Sequence, residues 1–225
     1  IQRMVREKGL EPVWKKYVEA TGELSRLCYR EEIEAAMRTK DLSGISLLGL
    51  QDFPGQGTAL VGMLDSHLEP KPFDFAKPEN FRAFFKEQLV LVGLEKYTYE
   101  EGETLCADVQ VANYGKTDCA GDLEWTLWAY MSNEGLDSVR KVAVKSGHMS
   151  AASCPKGTLS KAGTLKIELN NKITAPVRCD LTVKIADAVN SYPIWIYKNE
   201  MPKCPESVYE TTKLDLQAKK VLDNG

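Results

Sequence analysis

Histidine is nearly missing from this chain: His67 and His148 are the two in 225 residues, and they stand far apart. The six cysteines (Cys28, Cys106, Cys119, Cys154, Cys179 and Cys204) are irregularly spaced, with no C-x-x-C pair. Zinc sites draw on close pairs of such ligands, so no metal site is expected and the thiols read as scattered and free. A disulfide, for example between Cys106 and Cys119, is left open. Apolar runs such as residues 45–50 fall far short of the ~20 residues that span a bilayer, which argues against a membrane partner. Blocks of Lys and Arg are also lacking. The 29 basic and 32 acidic residues are interspersed, for a net charge of −3. A surface that neutralises a phosphate backbone needs clustered cations, so nucleic acid is not an expected partner. The opening IQRMVREKGL has neither an apolar signal core nor an initiating Met, and reads as a chain continuing from something longer. It reads as soluble, and its compartment is not legible; a secreted or periplasmic parent is left open.

What is present is ordinary globular material, 43% hydrophobic and 27% charged, enough to form a core in one or two domains. Residues 1–90 have a helical rhythm. Val13, Trp14, Tyr17 and Val18 recur at helical spacing, with Gly22 as a stop signal. A second helix follows, with Leu24, Leu27, Cys28, Ile33, Ala36 and Met37 as its buried stripe. Arg30, Glu31, Glu34 and Arg38 form the opposite, solvated face, where Glu34 and Arg38 pair four residues apart. The run ISLLGL at 45–50 reads as a strand buried on both faces, half of a βα repeat. It delivers its end to the polar loop QDFPGQG at 51–57. Residues 78–89 read as another helix, with Pro78 at its start.

Beyond Leu91 the alternation becomes that of strands. Leu105 to Val111, Leu123 to Ala129, Val142 and Val144, Leu165 to Leu169, Val177 to Ile185 and Tyr192 to Tyr197 each place apolar residues two apart. Turn signals at Asn113-Tyr114-Gly115, Asn133-Glu134-Gly135, Lys161-Ala162-Gly163 and Asn170-Asn171 separate them. Short strands at such spacing predict an antiparallel β-sandwich, immunoglobulin-like in architecture only, over 91–200. Residues 201–225 read as a linker and the start of a further domain, with a strand at 208–212 and a helix after it. The fold class is therefore α+β and multidomain.

The stretches YREEIEAAMRT (29–39) and ISLLGLQDFPGQGTALVGMLDS (45–66) resemble the end of the central barrel in glycoside hydrolase family 2-like proteins. These are the β-galactosidase and sugar-binding relatives common in gut bacteria. The resemblance runs over about residues 10–200 and includes YPIWIY at 192–197, like the W-x-Y ending of the sandwich that follows the barrel. It implies that residues 1–90 are a (β/α)8-barrel remnant and that the parent hydrolyses O-glycosidic bonds without a cofactor. The chain departs from the relatives at Ser66-His67-Leu68-Glu69, where an aromatic residue is common. The family's two catalytic glutamates would lie before Ile1. Retaining hydrolysis needs two carboxyl groups about 5–5.5 Å apart, so no catalytic residue is expected here.

The resemblance puts Gln51 and Asp52 at the C-terminal end of the last barrel strand, where barrel sites are built, and makes them carbohydrate-binding candidates together with Gln56. A carboxylate and an amide can each form paired hydrogen bonds with sugar hydroxyls. The competing roles are an Asx turn for Asp52, backbone contacts for Gln51 and a loop tip for Gln56. Phe53 and Trp195 could stack on a sugar, although core packing is the commoner fate of such rings. His67 reads as exposed and without a partner, and Arg30 and Arg38 as residues able to orient a carboxylate in the barrel. An alternative is a non-catalytic carbohydrate-binding or structural sandwich, for which Trp125, Trp128, Tyr130 and Trp195 are the available rings. Trp128 and Tyr130 fall on the face opposite Trp125. A partial barrel leaves apolar faces uncovered, so residues 1–90 are expected to pack on the sandwich or to self-associate.

Overall fold

A computed structural model describes residues 2–53, 55, 61–132, 139–170, 173–200, 205 and 208–223. Helix α1 (Gln2–Glu7) leads into α2 (Glu11–Met37), and a 3-10 turn (Asp74–Ala76) precedes the short α3 (Pro78–Arg82). Eight strands follow: β1 (Gln88–Leu94), β2 (Thr98–Glu100), β3 (Thr104–Asn113), β4 (Cys119–Ser132), β5 (Val139–Cys154), β6 (Thr158–Glu168), β7 (Val177–Ile185) and β8 (Ala188–Tyr197). Helix α4 (Leu216–Asp223) comes last, its start capped by the Asp215 carboxylate, which accepts from the Ala218 N–H at 2.9 Å.

The strands form two sheets, β1-β3-β6 and β2-β8-β7-β4-β5, antiparallel apart from the short β2–β8 pair. Period-two alternation puts Leu105, Val109, Leu165 and Ile167 of one sheet against Leu123, Leu127, Leu181, Val183 and Ile194 of the other, all essentially buried. Each such side chain contributes ~1.5–3 kcal/mol on leaving water, which makes this layer the main source of stability. The result is a β-sandwich. The chain passes between sheets at the turn after β5, where Gly157 takes a positive φ of 73° and donates to the Asn113 carbonyl. Cys119 and Cys154 lie directly opposite each other in the β4–β5 register as free thiols.

Several sequence expectations need correction. Lys161-Ala162-Gly163 is not a turn but a bulge inside β6, where Val109 pairs with Gly163 and Gln110 with Lys161. The helix expected over 78–89 stops at Arg82, because residues 88–94 are claimed by β1, buried on both faces. Gly22 does not end a helix: α2 runs straight through it. A Cβ there would lie 2.1 Å from the Phe75 ring, so Gly22 is a contact glycine that lets the 3-10 turn pack on the helix. Residues 208–213 form no strand.

The run at 45–50 is also no strand. It is irregular, and Leu48 is 94% exposed. A buried parallel strand needs neighbours on both edges, and among the described residues before β1 only isolated bridges occur. No barrel remnant stands out there as a sheet.

The largest correction concerns α2. Leu24 is 61% exposed, whereas Arg30 and Glu34, expected in solvent, are buried together with Ile33. The reason lies on the sandwich, whose rim offers hydrogen-bonding groups. Glu34 is 0% exposed. Its Oε1 accepts from Asn190 Nδ2 at 2.8 Å, and its Oε2 from the Tyr192 hydroxyl at 2.8 Å and Arg38 at 3.3 Å. Asn190 also donates to the Val90 carbonyl, and the Tyr192 oxygen accepts from the Val92 N–H at 3.1 Å. Arg30 lies 5.0 Å from the Tyr192 ring centroid and donates to Glu31. The helix is thereby locked across β1 and β8, and residues 1–90 do pack on the sandwich.

Truncating one member of such a network strands the others in a dry site, so Glu34→Ala is expected to cost about 3–5 kcal/mol in urea unfolding. Burial pushes the Glu34 carboxyl above its usual range, against the pull of Asn190, Tyr192, Arg30 and Arg38. The folded chain then holds this proton to higher pH than the unfolded chain, so its contribution is full below the unfolded value and fades as pH rises through the folded one. In thermal melts, the advantage of wild type over Glu34→Gln should shrink as pH rises from 4.5, the ordinary value, through the raised value of the folded chain. A pH-independent gap would contradict this.

Candidate functional site

The loop singled out by its residues is built on a short parallel contact. Asp52 N–H donates to the Leu64 carbonyl at 2.9 Å, and Leu64 N–H to the Leu50 carbonyl at 3.0 Å, with Gln51 bridged to Leu64. The two backbones come so close that a Cβ on Gly62 would lie 2.3 Å from the Gln51 carbonyl carbon. Asp52 faces inward, 7% exposed. Its Oδ1 accepts from the Gly62 N–H at 2.9 Å and from Lys71 Nζ at 2.9 Å. Its bonds therefore reach across the loop, where the Asx turn of the sequence reading would have kept them local. Gln51 is exposed, and Phe53 is 53% exposed, outside any core. Gln56 lies outside the described residues.

Next to it, the Asp65 carboxylate accepts from the N–H groups of His67 at 2.8 Å and Glu69 at 3.0 Å. These two donors hold its carboxyl below the usual carboxylate value. They close a tight turn in which Leu68 has a positive φ of 69° and His67 is exposed, its ring within 3.4 Å of the Ser66 hydroxyl. The loop rests on α2 through Met63, Phe75, Val18 and Tyr29, whose hydroxyl donates to the Gly49 carbonyl at 2.9 Å.

A second feature was read from the sequence only through its rings, Trp128, Tyr130 and Trp195, and not through the charged residues between them. The outer face of the five-stranded sheet carries Trp128 and Tyr130 on β4, Arg178 and Asp180 on β7, and Pro193 and Trp195 on β8; Trp128 pairs with Asp180, Asp180 with Pro193 and Arg178 with Trp195. Trp195 thus stands half-buried on this face and not in the core, whereas Trp125 packs against the core as its alternation implied. Asp180 is the centre of the cluster. Its Oδ2 accepts from the Tyr130 hydroxyl at 2.6 Å and from Lys141 Nζ at 3.0 Å, and Arg178 approaches Oδ1 at 3.5 Å. The Arg178 guanidinium lies 4.8 Å from the Tyr130 ring centroid. Burial and the Asp180 charge push the Tyr130 phenol up. A cleft of about 660 Å3 opens between this face, α2 and α3. The alternation of β4 marked Trp128 and Tyr130 as facing outward; the charged members went unread, although Asp180 inside the apolar strand VRCDLTVKI was a readable signal. Among the described residues no group of three or more His, Cys, Asp or Glu side chains could hold a metal ion, and no described helix is long and apolar enough to cross a membrane.

Comparison with known proteins adds a match to a family described as a domain of unknown function (DUF8488), over residues 103–198, the span of β3 to β8. No curated protein matches the chain. Among solved structures, it is weakly similar to the sporulation control protein Spo0M of Bacillus subtilis (17% identity, TM-score 0.38, 50% of each chain covered). Weak similarity also extends to a β-glucosidase of Listeria innocua in complex with gluconolactone (13%, TM-score 0.35, 49% of this chain and 16% of that one). A cycloisomaltooligosaccharide glucanotransferase of a Paenibacillus species gives 13% and 0.36 over 47% of this chain and 13% of that one. The chain spans half of the first of these proteins and a small part of the two enzymes. At these scores the likenesses decide neither fold nor function.

The loop geometry makes a direct test available. Asp52→Ala leaves the Gly62 N–H and the Lys71 ammonium without this acceptor and should cost about 1–3 kcal/mol. Gly62→Ala should part the two segments, because backbone has to move. Both variants should be cut faster by protease within residues 50–62, while the sandwich keeps its unfolding midpoint; unchanged cleavage would show that the contact does not hold the loop.

Proposed function

We propose that this chain is part of a carbohydrate-active protein, a glycoside hydrolase of the family 2-like kind. In this reading residues 1–90 are the end of its catalytic barrel and residues 91–200 an accessory sandwich. The observation that carries the reading is the LLGLQDFPGQGTALVG run. The geometry around Asp52 supports it: a buried carboxylate spends its hydrogen bonds on shaping the loop, and Gln51 and Phe53 are left displayed beside it. Gln51 and Gln56 then contact sugar hydroxyls, and Asp52 holds them in place with its own carboxylate at the base of the loop. The acid and nucleophile are two glutamates of the parent outside residues 1–225, so this chain alone turns nothing over.

A non-catalytic carbohydrate-binding sandwich is the second reading. The outer-face position of Trp128, Tyr130 and Trp195 favours it, since rings on a sheet face are the usual platform for sugar stacking.

The test compares residues 1–225 with the longer protein that this reading requires, on 4-nitrophenyl glycosides. Hydrolysis by the longer protein and none by residues 1–225 is the expected result. Gln51→Ala in the longer protein should raise KM with little change in kcat, as expected for a residue that binds substrate and transition state alike. Sugar binding without hydrolysis by the longer protein selects the second reading. Absence of both overturns the carbohydrate assignment.

A further inference from the structure

The cleft between α2, α3 and the outer sheet face is not explained by the loop site, and its charges do not balance. Most ionic groups along it are neutralised in place: Arg26 forms a two-bond pair with Glu23, Asp74 pairs with Lys77, and Arg30 is held by Glu31. Asp180 is different, because one carboxylate faces both Lys141 and Arg178. Among the described residues, one positive charge there is uncompensated. Lys86, on the same wall, has no ion-pair partner among the described residues.

Arg178 is the best placed of these cations for a ligand. Its side chain is 51% exposed, its guanidinium is steadied over the Tyr130 ring, and its contact with Asp180 is long at 3.5 Å. A guanidinium placed over a ring in this way keeps a two-pronged donor edge, and that edge matches the two oxygens of a carboxylate or sulfate. The floor is rigid sheet, and the wall is α2, fixed by Glu34. Ser191 and Asn80 add neutral hydrogen-bonding groups along the walls. About 660 Å3 lies within the size range of small-ligand sites and accommodates a short oligosaccharide.

We propose that this cleft binds an acidic oligosaccharide, with the carboxylate or sulfate of one sugar on Arg178 and the surplus charge of Lys141 and Lys86 around it. The inference rests on the carbohydrate reading and adds the class of sugar. It differs from a bare aromatic platform, because the Tyr130 ring is already occupied by cations and the anion-binding edge, not the ring, carries recognition.

The test is calorimetric titration of residues 1–225 with trigalacturonate, a sulfated galactose disaccharide, neutral galactotriose and inorganic sulfate. Binding of one of the two acidic sugars, with neutral galactotriose and sulfate at least about tenfold weaker, is expected; the better acidic ligand identifies carboxylate or sulfate as the anion. Arg178→Met keeps the stem and removes the fork. It should weaken that ligand by about tenfold while the thermal midpoint stays put, and Lys86→Gln should weaken it less and reduce its salt dependence. If Arg178→Met lowers the midpoint, Lys86→Gln, at an unpaired exposed site, remains the deciding variant. Neutral and acidic sugars binding equally, with no effect of either substitution, would overturn the acidic preference and leave the carbohydrate reading intact. Inorganic sulfate binding as well as the sugars would reduce the cleft to a plain anion site and overturn the proposal, and hydrolysis by the longer protein would still decide the wider reading separately.

Discussion

The arrangement of this molecule depends on one carboxylate pressed into the seam of a β-sandwich. Glu34 sits where β1 and β8 approach, and meets an amide and a phenol that would otherwise have to be satisfied in the same dry space. A buried ion is costly by itself, and it is tolerated because Asn190, Tyr192 and Arg38 donate to it. Such networks work as a unit. With the set complete, α2 has one position on the sandwich, and its flank becomes a fixed wall. The cleft beside Asp180 and the support under the 50–71 loop both follow from that placement.

The sandwich was largely legible because its signal is local and repeated. Alternation in β3, β4, β7 and β8 identifies both the strand and the face that is buried, and the core follows. Beginning and end were harder. Residues 88–94 lack alternation because both faces of β1 are covered, one by the opposite sheet and one by Met37 and Leu159. Gly163 imitated a turn because the cause of its small size is the Met149 side chain, 3.0 Å from where its Cβ would lie, and not a turn. Gly22 imitated a helix stop because the cause of its small size, the Phe75 ring, comes from more than fifty residues away in sequence.

Helix α2 shows the limit of amphipathic reading. Its greasy positions and its buried positions are different sets, since Leu24 is exposed and Arg30 and Glu34 are inside. Periodicity reports which face prefers to leave water, but the partner decides which face does. Here the partner surface is polar, with Asn190, Tyr192 and Tyr97 presented to the helix, and only the three-dimensional neighbourhood reveals it. The same holds for the candidate site. Asp52 was singled out as a sugar-binding candidate, and its bonds to Gly62 and Lys71 are set by the fold of the loop, which its sequence neighbours do not reveal.

The two candidate regions pose the same physical question and answer it in opposite ways. Around Asp52, one carboxylate meets a lysine and a backbone N–H inside the loop, and the group is consumed by structure. Around Asp180, one carboxylate is shared by two cations and a phenol, and among the described residues positive charge is left over at an exposed edge. A protein selected for stability alone gains little from such an excess, since like charges gathered on one face repel each other and an exposed ion pair contributes at most about 1 kcal/mol. The excess is therefore a better marker of a ligand than the buried acid in the loop, even though the loop carries the more distinctive sequence.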